Sequence, residues 1–332
     1  MPASHISITL NIKSKTMKIL VLGAGGTGGY FGGRLAANGA DVTFLVRERR
    51  AAQLAQDGLI IESPKDRVVI KVKTVQAGAL ISQPGPEYDI VILSCKAYDL
   101  ASSIEAIRPA MAAHTCIVPL LNGIAHIDTL DAAFGKARVM GGSCQIAATL
   151  TKDGVVKSMA DAHSITWGAR EPAQQTVAEK LGEAFAGATL VDAKVSATSM
   201  LDMWEKVAFL STLAGMTCLM RASVGEILAA PDGRDIMLRY VRTSMAIATA
   251  AGYAPRPAVV ERFEKILTSP GLPLTASMLR DLEGGGEVEA DHIVGFMLGK
   301  AREYKIDDSL IAVAYTHLKA YQNRRAANRL PK

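Results

Sequence analysis

Residues 17–36 read MKILVLGAGGTGGYFGGRLA, and this stretch decides the fold. It opens on a nearly continuous apolar run, MKILVLG (17–23), as expected of a parallel strand buried on both faces. Gly23, Gly25 and Gly28 then spell G-x-G-x-x-G between that strand and a helical stretch. In this pattern the first glycine permits a tight turn and the second lets the backbone approach a pyrophosphate. The third allows close packing of helix on strand. The pyrophosphate sits at the helix N-terminus, where free N–H groups and the helix dipole favour an anion. The loop Gly23, Ala24, Gly25, Gly26, Thr27 and Gly28 is therefore the expected dinucleotide cradle.

Outward from the loop the same rhythm repeats. ADVTFLV (40–46), YDIVILSC (88–95) and TCIVPLL (115–121) are further buried-strand runs, with helical stretches at 30–39 and 98–111 between them. Residues 138–168 read as more strands, with turn signals at Asp153-Gly154 and Trp167-Gly168. After about residue 195 the strand signal stops. Residues 196–222, 223–252, 256–268, 274–284, 288–305 and 308–326 read as helices, punctuated by proline and glycine clusters. The fold class predicted is α/β: a Rossmann-type, doubly wound parallel sheet over 17–195, followed by an all-helical C-terminal domain over 196–332. Residues 1–16, which lack the apolar core of a signal peptide, are expected to be a disordered leader.

The second strand ends at Val46-Arg47, nineteen residues after Gly28. An acid near that point holds the ribose 2′-hydroxyl of NAD, whereas a cation accommodates the 2′-phosphate of NADP. Arg47, supported by Arg49 or Arg50, points to NADP(H). Ligands in open parallel sheets bind beyond the carboxyl ends of the strands. Lys96 and Asn122 each follow a strand directly, so both side chains are expected to open into that crevice.

Composition narrows the function. With 332 residues, 49% hydrophobic and 21% charged, the chain can bury a large core and is neither disordered nor collagen-like. The longest nearly apolar stretch, 207–220, is broken by Ser211, Thr212, Gly215 and Thr217 and is too short to span a bilayer. A net charge of +5 with 5% aromatics argues against a nucleic-acid surface and is compatible with acidic small molecules. Four scattered cysteines, without C-x-x-C, suggest neither a zinc site nor a disulfide framework; reduced thiols in a cytoplasmic protein are expected.

Seven motifs, in order, resemble the ketopantoate reductases (2-dehydropantoate 2-reductases). They are GAGGTGG at 23–29, Arg47, SCKAYD at 94–99, PLLNG at 119–123, MWEKV at 203–207, SMLRD at 277–281 and EADHIVG at 289–295. The resemblance implies NADPH-dependent reduction of 2-dehydropantoate to pantoate, a step of pantothenate and coenzyme A synthesis, in a cleft between two domains. It also implies Lys206 as general acid, Glu289 as its partner, and Lys96, Asn122 and Ser277 as cofactor or substrate contacts. A keto acid and a second copy of the chain are the expected partners; nucleic acid, membrane and metal are not. The chemistry of the residues is compatible. Hydride addition to an α-keto acid leaves negative charge on its oxygen, and a nearby ammonium both stabilises that charge and supplies the proton.

One departure bears on specificity. The family often carries asparagines four and eight residues after the catalytic lysine; here those positions are Leu210 and Ala214. A wall without polar partners discriminates weakly between hydroxylated and plain keto acids. From fold analogy alone, an opine, hydroxyacid or sugar-phosphate dehydrogenase and a non-catalytic NADP-sensing module stay open.

Overall fold

The structure is a computed structural model describing residues 17–82, 87–161 and 163–330; the leader expected at 1–16 lies outside the described residues. Twelve strands are formed by the described residues: β1 (Lys18–Leu22), β2 (Asp41–Leu45), β3 (Leu59–Glu62), β4 (Arg67–Ile70), β5 (Lys73–Val75), β6 (Ile90–Leu93), β7 (Cys116–Pro119), β8 (Gly141–Gln145), β9 (Ala148–Leu150), β10 (Val155–Ser158), β11 (His163–Gly168) and β12 (Val191–Val195). The central sheet is five-stranded, in the order β5-β2-β1-β6-β7, and every pairing in it is parallel. The order reverses at β1, which places the topological switch point beside the glycine loop. Ile19 and Val21 face one apolar core and Leu20 the other, as the two-residue period of a strand buried on both sides requires.

Two smaller sheets carry antiparallel pairs that the reading of a single parallel sheet did not include. Strands β4-β3-β10-β9 form one, and β12-β11-β8 the other. The first helix, Gly26–Ala37, is packed between the central sheet and the four-stranded sheet. Its glycines explain how. A Cβ on Gly32 would stand 2.9 Å from the Phe44 ring, and one on Gly33 would stand 2.6 Å from Ile61 Cδ1. Glycine inside a helix costs about 1 kcal/mol relative to alanine, and here it admits a sheet on each side. Arg34, on the same helix and 1% exposed, is held by Asp66 of the β3–β4 turn at 2.5 and 2.7 Å.

After β12 every regular element of the described residues is helical. The reading of 223–252 as one helix resolves into Val224–Ala229 and Gly233–Ala250, because Pro231 follows the first and Asp232 adopts a left-handed conformation between them. The segment 288–305 begins with a π-helical turn, Asp291–Gly295, before Phe296–Glu303. One apolar cluster runs from the face of the central sheet (Leu20, Val91, Ile117) into the helical part (Trp204, Tyr240, Met297), so the two share a continuous core, and the long helix Ser199–Met220 lies against β8 and β11. No helix of the described residues is long and apolar enough to cross a membrane.

Candidate active site

The glycine loop has the backbone its sequence calls for. Gly23 sits at φ +87°, and a Cβ on Gly28 would fall 2.3 Å from Ser94 Oγ and 2.4 Å from the Gly23 carbonyl. Ser94, directly after β6, donates from that same Oγ to Leu22 O at 2.8 Å, which ties the two strand ends together. Gly25 is the N-cap of the first helix, and no atom of the described residues beyond its chain neighbours lies within 4 Å of where its Cβ would be. A pyrophosphate has the open approach and the free N–H groups it needs there. Gly26, Thr27 and Gly28 form the first helical turn beneath it.

From this loop a cleft of about 880 Å³ opens, lined by Gly23–Gly25, by Arg47, Arg49 and Arg50, by Lys152 and, at its inner end, by Ser94 and Cys95. That volume lies within the range of about 300–1,000 Å³ usual for small-molecule sites. The cradle and the cations fit a dinucleotide. Arg47, at the start of helix Glu48–Asp57, is exposed. Arg50 plays a different part from the support expected of it. Three of its five N–H donors go to Ala24 O at 3.0 Å, Gly154 O at 3.0 Å and Gln53 Oε1 at 2.5 Å, so it braces the loop from within the cleft lining. Lys152, which no motif marked, enters the cleft from the turn between β9 and β10.

One residue beyond the inner end, Lys96 bridges to the helical part. Its Nζ stands 3.3 Å from Asp281 Oδ2 and 3.5 Å from Glu289 Oε2. Glu289, 6% exposed, also accepts from the Ala97 N–H at 3.0 Å. Burial disfavours the charged form of Lys96, but the two carboxylates outweigh it and hold its pKa above the ordinary lysine value. Ser277 opens the helix Ser277–Glu283 and is exposed; Asp281 lies one turn further along, at the i+4 spacing that shares a helix face. No motif singled out Asp281 by itself, although the SMLRD segment contains it.

Lys206 is carried by the long helix Ser199–Met220, which runs along β8. Ser199 Oγ stands where a Cβ on Gly141 would be, at 2.4 Å, and the Gly142 N–H points to Met203 Sδ at 3.3 Å. Two turns along from Ser199, Lys206 Nζ donates to Cys144 O at 2.6 Å and approaches Asn122 Oδ1 at 3.4 Å. Asn122 follows β7, and Gly123 after it adopts φ +84° with His292 O only 2.5 Å from its Cβ position. The loop, the π-helical turn and Lys206 thus meet in one place. Burial lowers the Lys206 pKa, opposed by the charge of Glu289, with which it shares no hydrogen bond. The acid next to it in sequence, Glu205, is turned away and bound by Arg256 Nε at 2.9 Å, so it does not neutralise the amine.

A glycine loop on a parallel sheet, together with a half-buried lysine amine beside strand-end polar groups, has the parts of a nicotinamide-dependent oxidoreductase. The ketopantoate reductase PanE/ApbA family model matches residues 19–172, and its C-terminal companion matches residues 198–322. The chain belongs to the ketopantoate reductase family. It is 36% identical over 306 residues to the uncharacterized oxidoreductase YkpB of Bacillus subtilis, covering 92% of this chain and 99% of that one. It is 25% identical over 291 residues to the 2-dehydropantoate 2-reductase of Halobacterium salinarum, covering 87% and 94%. The ternary structure of D-mandelate dehydrogenase with NADH and anilino(oxo)acetate superposes with a TM-score of 0.81 at 21% identity, covering 93% of this chain and all of that one. The protein is an NADP-dependent oxidoreductase acting on a CH–OH group.

Proposed function

We propose that this protein reduces a 2-keto acid to the 2-hydroxy acid with NADPH, 2-dehydropantoate being the first candidate, and that Lys206 donates the proton. The observation that carries the reading is the Lys206 amine, half-buried and held between Cys144 O and Asn122 Oδ1. Bound in the cleft, the cofactor supplies a hydride to the carbonyl carbon. The residues of the chain do the rest. Gly23–Gly28 hold the pyrophosphate, and Arg47 meets the 2′-phosphate. Lys206 holds a proton at Nζ for the carbonyl oxygen, where its charge also stabilises the developing alkoxide. Two carbonyl oxygens keep the amine oriented without accepting its proton. Asn122 and Ser277 offer hydrogen bonds to the substrate, and Lys96 offers a cation to its carboxylate. Glu289 sets the position of Lys96 and the field at Lys206. In this reading residues 17–195 form the cofactor domain, and the helices from residue 196 complete the substrate site.

A second substrate reading has its own support. One and two turns beyond Lys206, at spacings that share its helix face, stand the partly buried Leu210 and the buried Ala214, neither of which can hydrogen-bond a substrate hydroxyl. A keto acid with an apolar side chain suits that wall. NADPH-consumption kinetics with 2-dehydropantoate against 2-ketoisovalerate separate the two. A higher kcat/KM for 2-dehydropantoate supports the first reading, and a higher value for ketoisovalerate supports the second. Turnover of neither with NADPH overturns both.

A further inference from the structure

We propose that Lys152, at the turn joining β9 to β10, is a second determinant of NADPH over NADH, meeting the adenosine 2′-phosphate in the cleft that Arg47 also lines. This rests on the NADPH reading above. Lys152 and Arg47 line the same cleft although 105 residues separate them, and both are exposed. Among the described residues neither makes an ion pair with a carboxylate, in contrast to Lys96. The charged side chains around this cleft are Arg47, Arg49, Arg50 and Lys152 against Glu48 and Asp99. Arg50 uses three of its donors on Ala24, Gly154 and Gln53, and the exposed cations of the cleft are Arg47, Arg49 and Lys152.

The turn that carries Lys152 is built to stay in place. Thr151 N–H donates to Val155 O at 2.9 Å, Gly154 N–H to Thr151 O at 3.0 Å, and Val155 N–H to Thr151 Oγ1 at 3.0 Å. Gly154 takes φ +83°, and a Cβ there would collide with the Gln53 side chain at 2.1 Å. Helix Glu48–Asp57, which begins just after Arg47, grips the turn from outside. Gln53 Nε2 donates to Asp153 O at 2.9 Å and Arg50 Nη1 to Gly154 O at 3.0 Å. One helix therefore fixes both the strand end that carries Arg47 and the turn that carries Lys152. A guanidinium offers two parallel N–H bonds to a phosphate, and an ammonium in the same cleft serves as a point charge for a remaining oxygen. NADH places a neutral hydroxyl there, so both cations favour NADPH.

The test is calorimetric titration of the full chain with adenosine 2′,5′-bisphosphate and with AMP, alongside NADPH and NADH kinetics. Lys152→Ala is expected to weaken the bisphosphate about tenfold, the worth of one charge-assisted contact, and to leave AMP binding unchanged. Lys152→Arg is expected to keep most of the preference. Equal losses for bisphosphate and AMP would mean a displaced turn and would overturn the proposal. If Lys152→Ala leaves the bisphosphate-to-AMP ratio intact while Arg47→Ala lowers it, Lys152 has no such role and the NADPH reading stands. If neither variant moves the ratio, the NADPH reading falls with it.

Discussion

Lys206 donates from Nζ to the main-chain oxygen of Cys144 at 2.6 Å, so the amine on the long helix is positioned by strand β8. A carbonyl oxygen is a strong acceptor that cannot take the proton at working pH. The ammonium is thereby oriented without being neutralised, while burial makes it a stronger acid than free lysine.

Replacing Lys206 by Ala is expected to lower kcat by about 10²–10⁴-fold, the usual contribution of a general acid, with NADPH affinity nearly unchanged. Rising pH strips the proton from Lys206, so kcat in the unaltered protein should fall on the alkaline side. Because burial lowers the lysine pKa, that limb should begin below the ordinary lysine value of about 10.4. The variant should lose the limb. A pH–rate profile that keeps it assigns the proton to another group.

Arg47→Asp is expected to raise the NADPH dissociation constant by roughly 10–100-fold, through loss of a charge-assisted contact and gain of repulsion. NADH affinity should change little. Fluorescence titration of both cofactors measures this, and equal changes for the two would remove Arg47 as the source of preference.

The buried Arg34 depends on Asp66. Asp66→Ala leaves the guanidinium enclosed and without its carboxylate, and should destabilise the fold by about 3 kcal/mol. That is the low end for breaking a buried pair, because Asp66 is 28% exposed. The hydrogen bond from Arg34 holds the Asp66 carboxyl below its ordinary pKa. Its stabilisation is therefore complete above the unfolded carboxylate value and lost as pH falls through the folded one. Denaturant midpoints at neutral and acidic pH should converge between parent and variant.

His126 is 2% exposed, and its Nε2 has no hydrogen-bond partner among the described residues. Burial, then the charges of Lys206 and His292, push its pKa down to about 3. The unfolded chain thus takes up a proton, near pH 6.5, that the fold refuses. Stability should fall between about pH 6.5 and 3, with a slope from this group approaching 1.4 kcal/mol per pH unit. His126→Gln should flatten the dependence over that window; an unchanged slope would assign the acid sensitivity elsewhere.

The glycine loop and the buried strands were legible because their signals are local. Gly23, Gly25 and Gly28 act on the backbone within a few residues, and β1, β2, β6 and β7 announce themselves by apolar runs. The β3–β4 hairpin was not read. Its four-residue strands, LIIE and RVVI, are too short for periodicity to separate strand from loop, and β10, which pairs with β3, lies far along the chain.

By itself, then, the sequence determined the parallel sheet, the glycine loop between its first strand and first helix, the change to an all-helical second half and the residue types available for chemistry. Local dihedral preference and hydrophobic period are properties of short segments. Only the tertiary structure decided which of those residues meet. It set Lys206 against Cys144 and Asn122, placed Glu289 with Lys96 and Ala97, and turned Glu205 toward Arg256. It also made Arg50 a brace for the glycine loop and brought Lys152 into the cleft that opens beside that loop. Asn122 and Lys206 are 84 residues apart, and Lys96 and Glu289 are 193 apart. At such separations a side chain's partner is set by how helices and sheets pack, because burial must satisfy every charge it encloses.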